Sequence, residues 1–123
     1  MTAPRSSIGR YWEAFAAEHL VAHGLRILER GYRCRLGELD IVCRDASTLV
    51  VVEVRARAGN AYVKAVESVN HPKRRRILCA TRHFLMRHPE WHEKPVRFDV
   101  IAIDAADTDS PVLSWVRNAF EAG

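Results

Sequence analysis

Two acids stand in the most strongly β-patterned part of this 123-residue sequence. Asp40 lies in Glu38-Leu39-Asp40-Ile41-Val42-Cys43-Arg44, and Glu53 in Thr48-Leu49-Val50-Val51-Val52-Glu53-Val54-Arg55. The short link Asp45-Ala46-Ser47 between them predicts a β-hairpin. In an antiparallel pair facing residues share one face of the sheet. A two-residue turn at Ala46-Ser47 sets Leu39 opposite Val54, Ile41 opposite Val52 and Cys43 opposite Val50, giving one wholly apolar face. On the other face it sets Asp40 opposite Glu53 and Glu38 opposite Arg55. Ala-Ser is not a favoured type I′ pair, so a longer loop with a shifted register stays open.

Facing carboxylates have Cβ atoms about 4.5–5.5 Å apart and repel unless something neutralises them. Mg²⁺ or Mn²⁺ would do so, because either takes hard oxygen ligands and keeps several waters. Asp40, Glu53, the Val54 carbonyl and a substrate phosphate make a suitable set. Such an ion generates hydroxide and neutralises charge on a phosphoryl transition state, while nearby arginines hold the phosphates. The plainer reading makes Asp40 a strand-edge carboxylate and pairs Glu53 with an arginine. A carboxylate among Val51, Val52 and Val54 is nevertheless costly to bury without a purpose.

The elements that must position these groups can be read along the chain. Ser7 caps a helix from about Ile8 to Ala22, with Ile8, Tyr11, Trp12, Phe15, Ala16 and Leu20 as its apolar stripe and Gly24 as its stop. Glu13 borders that stripe and on its own reads as a surface glutamate. Leu25–Arg35 reads as a strand broken at Gly31 by a bulge or bend. Residues 57–70 read as a mobile loop with a short helical turn near Val63–Val69. Asn70 caps a second helix from about Pro72 to Arg87, whose buried face carries Ile77, Ala80, Thr81, Phe84 and Leu85. Val96–Ile103 reads as a strand buried on both faces, and Val112–Phe120 as a last strand or a short helix.

Composition sets the class. Hydrophobic residues make up 48% and charged residues 28% of the chain, a globular balance that argues against disorder and collagen-like repeats. One domain is expected over 1–123, with a core at about 8–104. Cys34, Cys43 and Cys79 form no C-x-x-C pair, so neither a disulfide framework nor a zinc ribbon is indicated, and reduced thiols in a cytoplasmic setting fit. No signal-peptide core or membrane-spanning run occurs. Net charge is only +4, but cations cluster: Arg55, Arg57, Lys64, Lys73, Arg74, Arg75 and Arg76 oppose only Glu53 and Glu67 within residues 53–76. A solvated helix face is the bland account. Cations in the first turn of the second helix oppose its dipole at about 0.3–1 kcal/mol per charge, which an anionic partner such as a phosphate would offset. These residues are the candidate nucleic-acid contacts.

A family resemblance covers nearly the whole chain. Gly37-Glu38-Leu39-Asp40 followed by Val52-Glu53-Val54-Arg55-Ala56-Arg57 resembles the two core motifs of the YraN-like family. Gly9-x-x-Trp12-Glu13 is similar to its first-helix G-x-x-G-E, and Lys73-Arg74-Arg75-Arg76 to its basic second helix. Arg97-Phe98-Asp99-Val100 resembles its R-F-D-V strand, and Asn118-Ala119-Phe120 its ending. That family is similar to Holliday-junction-resolvase-like members of the PD-(D/E)xK nuclease superfamily. The resemblance implies a single-domain α/β, restriction-endonuclease-like fold, a mixed β-sheet flanked by helices. It also implies a Mg²⁺ or Mn²⁺ site of Asp40 and Glu53 with Glu13 reaching in from the first helix, branched or single-stranded DNA as partner, and allows a homodimer.

Two departures bear on catalysis. Arg55 takes the place of the usual lysine of E-x-K; arginine orients phosphate and stabilises charge but is a poor proton acceptor. Lys64 or Lys73 is the candidate for a displaced lysine. Trp12 replaces a glycine beside Glu13, where its bulk can occupy the space of substrate or of Glu13. Three functions therefore stay open: a metal-dependent nuclease, a DNA-binding module without hydrolysis, and a protein-interaction domain whose basic patch meets an acidic partner. His19 and His23, one helical turn apart, lack the glutamate and third ligand of a zinc site and read as surface histidines. Trp91 and Trp115 read as packing or loop residues rather than base-stacking platforms, and Tyr62 as a residue that can touch a base.

Overall fold

The computed structural model describes residues 7–59 and 64–121. Two helices and five strands follow in the order α1 (Ser7–Ala22), β1 (Arg26–Cys34), β2 (Gly37–Asp45), β3 (Thr48–Ala56), α2 (His71–Arg87), β4 (Val96–Asp104) and β5 (Val112–Phe120), with short 3₁₀ turns at Val66–Ser68 and Pro89–Trp91. The strands form one mixed sheet in sequence order. β3 and β4 run parallel and every other pair is antiparallel. Parallel neighbours need a crossover, and α2 supplies it. This is the α/β, helix-flanked mixed sheet that the resemblance implies.

Each face of the sheet is apolar and takes one helix. Ile41, Cys43, Val50, Val52, Ile101 and Ile103 pack with Trp12, Ala16, Ala17 and Leu20 of α1. Val42, Leu49, Val51, Phe98, Val100 and Ala102 pack with Ile77, Ala80 and Phe84 of α2. Burial on both sides explains why β3 and β4 read as near-continuous valine and isoleucine runs rather than as alternating strands. The sheet runs on past residue 104 into β5, whose Phe120 is buried and stacks on Phe98 with ring centroids 5.2 Å apart.

The hairpin has the two-residue turn expected of it, with Asp45 paired to Thr48 and Ile41 to Val52. Ala46 accepts a positive φ of 54° to close it. The ladder, however, ends at Ile41 and Val52, so the expected pairs Leu39/Val54, Asp40/Glu53 and Glu38/Arg55 do not form as rungs. The single apolar face drawn through Leu39, Ile41 and Cys43 is also corrected. Leu39 packs with α2, whereas Ile41 packs with α1. Residues two apart in a regular strand share a face, so β2 rolls over at Asp40.

β1 rolls with it. Arg30 pairs with Ile41 and Tyr32 with Leu39, flanking Gly31 and Asp40. Arg30 reaches Glu13 of α1, while Tyr32 contacts His83 and Phe84 of α2. Gly31 takes φ 66°, a left-handed conformation that glycine adopts without a Cβ penalty. The bend expected at Gly31 is this roll. The ladder's register shift lies elsewhere, between Ile27 and Glu29.

Asn70 caps α2 by accepting the Lys73 N–H at 3.0 Å, as expected from an Asn before a Pro-containing first turn. Val112–Phe120 is a strand, resolving the choice between strand and helix. The apolar stripe of α1 is narrower than expected: Ile8 and Tyr11 are 73% and 60% exposed. Residues 60–63, Tyr62 among them, lie outside the described residues.

Candidate active site

The roll at Asp40 aims its side chain along the sheet toward β3. Asp40 Oδ2 accepts the Val54 N–H at 2.9 Å, satisfying a backbone donor that the terminated ladder would leave unpaired. The same carboxylate lies close enough to Glu53 for its charge to act on it. The expected Asp40/Glu53 rung is thus absent, and the two acids are neighbours past the end of the ladder. Glu53 is 5% exposed. Burial, then the Asp40 charge, push its carboxyl well above the ordinary range, and Lys73 and Arg55 oppose that rise. Asp40 and Glu53 thus form an acidic dyad just past the end of the β2–β3 ladder.

Lys73, in the first turn of α2, places its Nζ 3.6 Å from Glu53 Oε1. Of the two lysines considered for a displaced role, this is the one brought to the acids. Lys64 instead lines a separate groove with Arg57 and Glu67. The approach of α2 depends on Gly37: a Cβ there would lie 2.6 Å from the Arg76 carbonyl oxygen. Only glycine lets the start of β2 sit that close to the helix backbone.

A cleft of about 410 Å³ opens between the start of α1 and the ends of β2 and β3, lined by Trp12, Glu13, Glu38, Asp40 and Arg55 among others. Trp12 forms part of its wall and packs into the α1 core, 8% exposed, so its bulk does not fill the space. Arg55 faces this cleft, and its Nε is buried without a hydrogen-bond partner. Glu53 lies behind Asp40, toward α2, and does not line the cleft. Asp40 is the group common to cleft and dyad.

Glu13 corrects the surface reading: it is buried at 3% exposure and lines the cleft. It faces Arg30 Nε at 3.5 Å. Among the described residues no three His, Cys, Asp or Glu side chains gather as a metal site. Glu38, expected opposite Arg55, pairs with Arg33 at 3.2 Å across β1.

The cations separate into two groups. Arg57 is committed to Asp104 through contacts of 2.8 and 3.2 Å, and Arg74 donates to the Val69 and Val66 carbonyls at 2.8 and 3.0 Å. Both brace the fold. Arg75 and Arg76 are exposed. Arg76 and Lys73 share a groove of about 290 Å³ with Arg35 and Glu38. Arg35 was not singled out from the sequence; its place in the two-residue turn Arg35-Leu36 opposite α2 is a consequence of the β1–β2 pairing.

The R-F-D-V strand carries a structural clasp. Asp99 is fully buried and receives Arg97 through both oxygens at 2.9 and 3.1 Å, the Trp115 indole N–H at 3.0 Å and the Asn118 backbone N–H at 2.9 Å. Trp115 is thus a packing residue, with His19 and His23 edge-on to its ring. No helix among the described residues is long and apolar enough to cross a membrane.

Comparison with known proteins agrees with the motif resemblance. The model of the uncharacterised protein family UPF0102 matches residues 12–103. A UPF0102 protein of Stutzerimonas stutzeri is 48% identical over 94% of this chain and 95% of its own length. One from Alcanivorax borkumensis is 42% identical over 94% and 93%, and one from Methylococcus capsulatus 44% identical over 96% and 94%. The span matched contains Glu13, Asp40, Glu53 and Lys73, and this chain belongs to the uncharacterised UPF0102, or YraN-like, family.

Proposed function

We propose that this protein is a metal-dependent nuclease that binds branched or single-stranded DNA and hydrolyses phosphodiester bonds. The observation that carries the reading is the Lys73 ammonium beside the Asp40–Glu53 dyad. Two acids and a lysine are the groups that the E-x-K pattern assembles, and here the lysine comes from α2 while Arg55 occupies its usual place.

A divalent cation fits the dyad. A carboxyl disfavoured as an anion by burial and by a neighbouring acid becomes a favourable oxygen donor once a dication sits beside both. Asp40 and Glu53 would hold Mg²⁺ or Mn²⁺, leaving other positions to water and phosphate. When bound, the ion lowers the pKa of a coordinated water and neutralises developing negative charge. Lys73 compensates Glu53 and positions a water on the α2 side. Arg55, with its planar fork of donors, holds the phosphate in the cleft. Arg35 and Arg76 extend positive charge along the adjoining groove.

The second reading, DNA binding without hydrolysis, is favoured by Arg55 itself, since a guanidinium does not accept a proton at neutral pH. One assay separates the two: incubation with Mn²⁺ and either a four-way junction or a single-stranded oligonucleotide. Cleavage by the native protein that disappears in Asp40→Ala supports the nuclease. Cleavage unchanged in Asp40→Ala overturns it. Salt-sensitive binding with no cleavage, and cleavage gained by Arg55→Lys, assigns the binding module.

A further inference from the structure

Beside the acidic cleft lies a second groove of about 590 Å³ that shares its wall of Ile8, Trp12 and Ala56 and adds Tyr11 and Ala58. Ile8 and Tyr11 remain 73% and 60% exposed, although they continue the apolar stripe that buries Trp12. Tyr11 stands edge-on to Trp12, with ring centroids 4.8 Å apart and planes at 86°, and Trp12 is itself braced edge-on by Phe15 at 5.4 Å. An aromatic ring held this way is a pre-set apolar platform.

We infer that this groove receives an unpaired nucleobase of the DNA strand whose phosphate enters the acidic cleft, with the base against Tyr11 and Ile8. The inference rests on the nuclease reading and deepens it by naming what distinguishes the substrate. The argument for this occupant is continuity. A nucleotide is an anion joined to a flat apolar ring, and here a cleft with Asp40 and Arg55 adjoins, through a common wall, an apolar groove with an exposed aromatic. A base inside a duplex is stacked on both sides and cannot enter; an unpaired one can, and every base offers a π-face to an aromatic side chain. The groove therefore favours single-stranded or branched DNA over continuous duplex without reading sequence.

The test is fluorescence-anisotropy binding of the full chain in EDTA, so that no hydrolysis consumes the probe. The probes are a labelled oligothymidylate and an abasic strand of the same length, which keeps the phosphates and lacks the bases. The native protein is expected to bind the oligothymidylate about 5- to 150-fold more tightly, the range that one stacked base supplies. Tyr11→Ala, an exposed helix position that accepts alanine, is expected to bind both strands with the weaker affinity. Tyr11→Phe is expected to keep the preference. Equal binding of both strands by the native protein overturns the inference and leaves DNA binding standing. Binding of neither strand overturns the nuclease reading and the groove's role together. If Tyr11→Ala keeps the preference but turns a dimer into a monomer, the groove belongs to a second copy of the chain and the inference fails.

Discussion

Lys73 Nζ stands 3.6 Å from Glu53 Oε1, bridging the crossover helix and the central strand where Asp40 brings a second acid. Helix α2 thus does more than connect parallel strands. It carries a cation to a buried acid that its own strand surrounds with valines. If Lys73 serves the reaction, Lys73→Met lowers single-turnover cleavage of DNA by about 100-fold or more, the usual range for a positioned proton-transfer group. A rate within a few-fold of native would reduce Lys73 to a charge partner.

Glu53 gives a pH dependence with a definite sign. Its folded carboxyl is raised above the unfolded value, so the folded state binds more protons between the ordinary glutamate pKa, about 4.3, and the raised one. The stability it contributes is complete below the unfolded pKa and is lost as pH rises through the folded one. Glu53→Gln removes that loss. In metal-free buffer the variant's Tm is expected to exceed the native one at pH 7–8 and to converge with it near pH 4. A native advantage at neutral pH would show that Lys73 and Arg55 outweigh burial.

Gly37 sets how near α2 can come. A Cβ at Gly37 would meet the Arg76 carbonyl oxygen at 2.6 Å and the Arg76 Cβ at 3.2 Å, so strand and helix must part. Gly37→Ala is expected to cost about 1–3 kcal/mol, the range of overpacking, read from urea unfolding. Because the displaced turn carries Lys73, cleavage should fall further than the stability loss explains.

Asp99 holds β5 to β4 where their register shifts between Phe98 and Val100. Asp99→Ala leaves the Arg97 guanidinium only its 3.3 Å contact with Asp45 and unpairs the Trp115 and Asn118 N–H groups. Breaking a buried pair from one side typically costs about 3–5 kcal/mol. Denaturant unfolding should show that loss, while a Tyr11→Ala control on the exposed side of α1 should not.

Much of the fold follows from local pattern alone. The turn between Asp45 and Thr48 and the rungs up to Ile41–Val52 follow from the alternation of residues, because a slip by one place would turn every side chain over. Asn70 and Pro72 mark the start of α2 by backbone chemistry that needs no distant partner. The nearness of Asp40 to β3 follows from the same hairpin, whose ladder ends one residue short of it. Tertiary structure decided the rest. Glu13 reads as a surface residue until Arg30 and the closing sheet bury it. The single apolar face through Leu39 fails because parity assumes an unbroken strand, and the paired roll at Gly31 and Asp40 violates that assumption. Lys73 lies 20 residues from Glu53 along the chain, and only the crossover, seated against Gly37, brings its charge to the dyad. Residue types and spacing sufficed to name the acids; the position of the cation that answers them depends on a helix packed against a glycine.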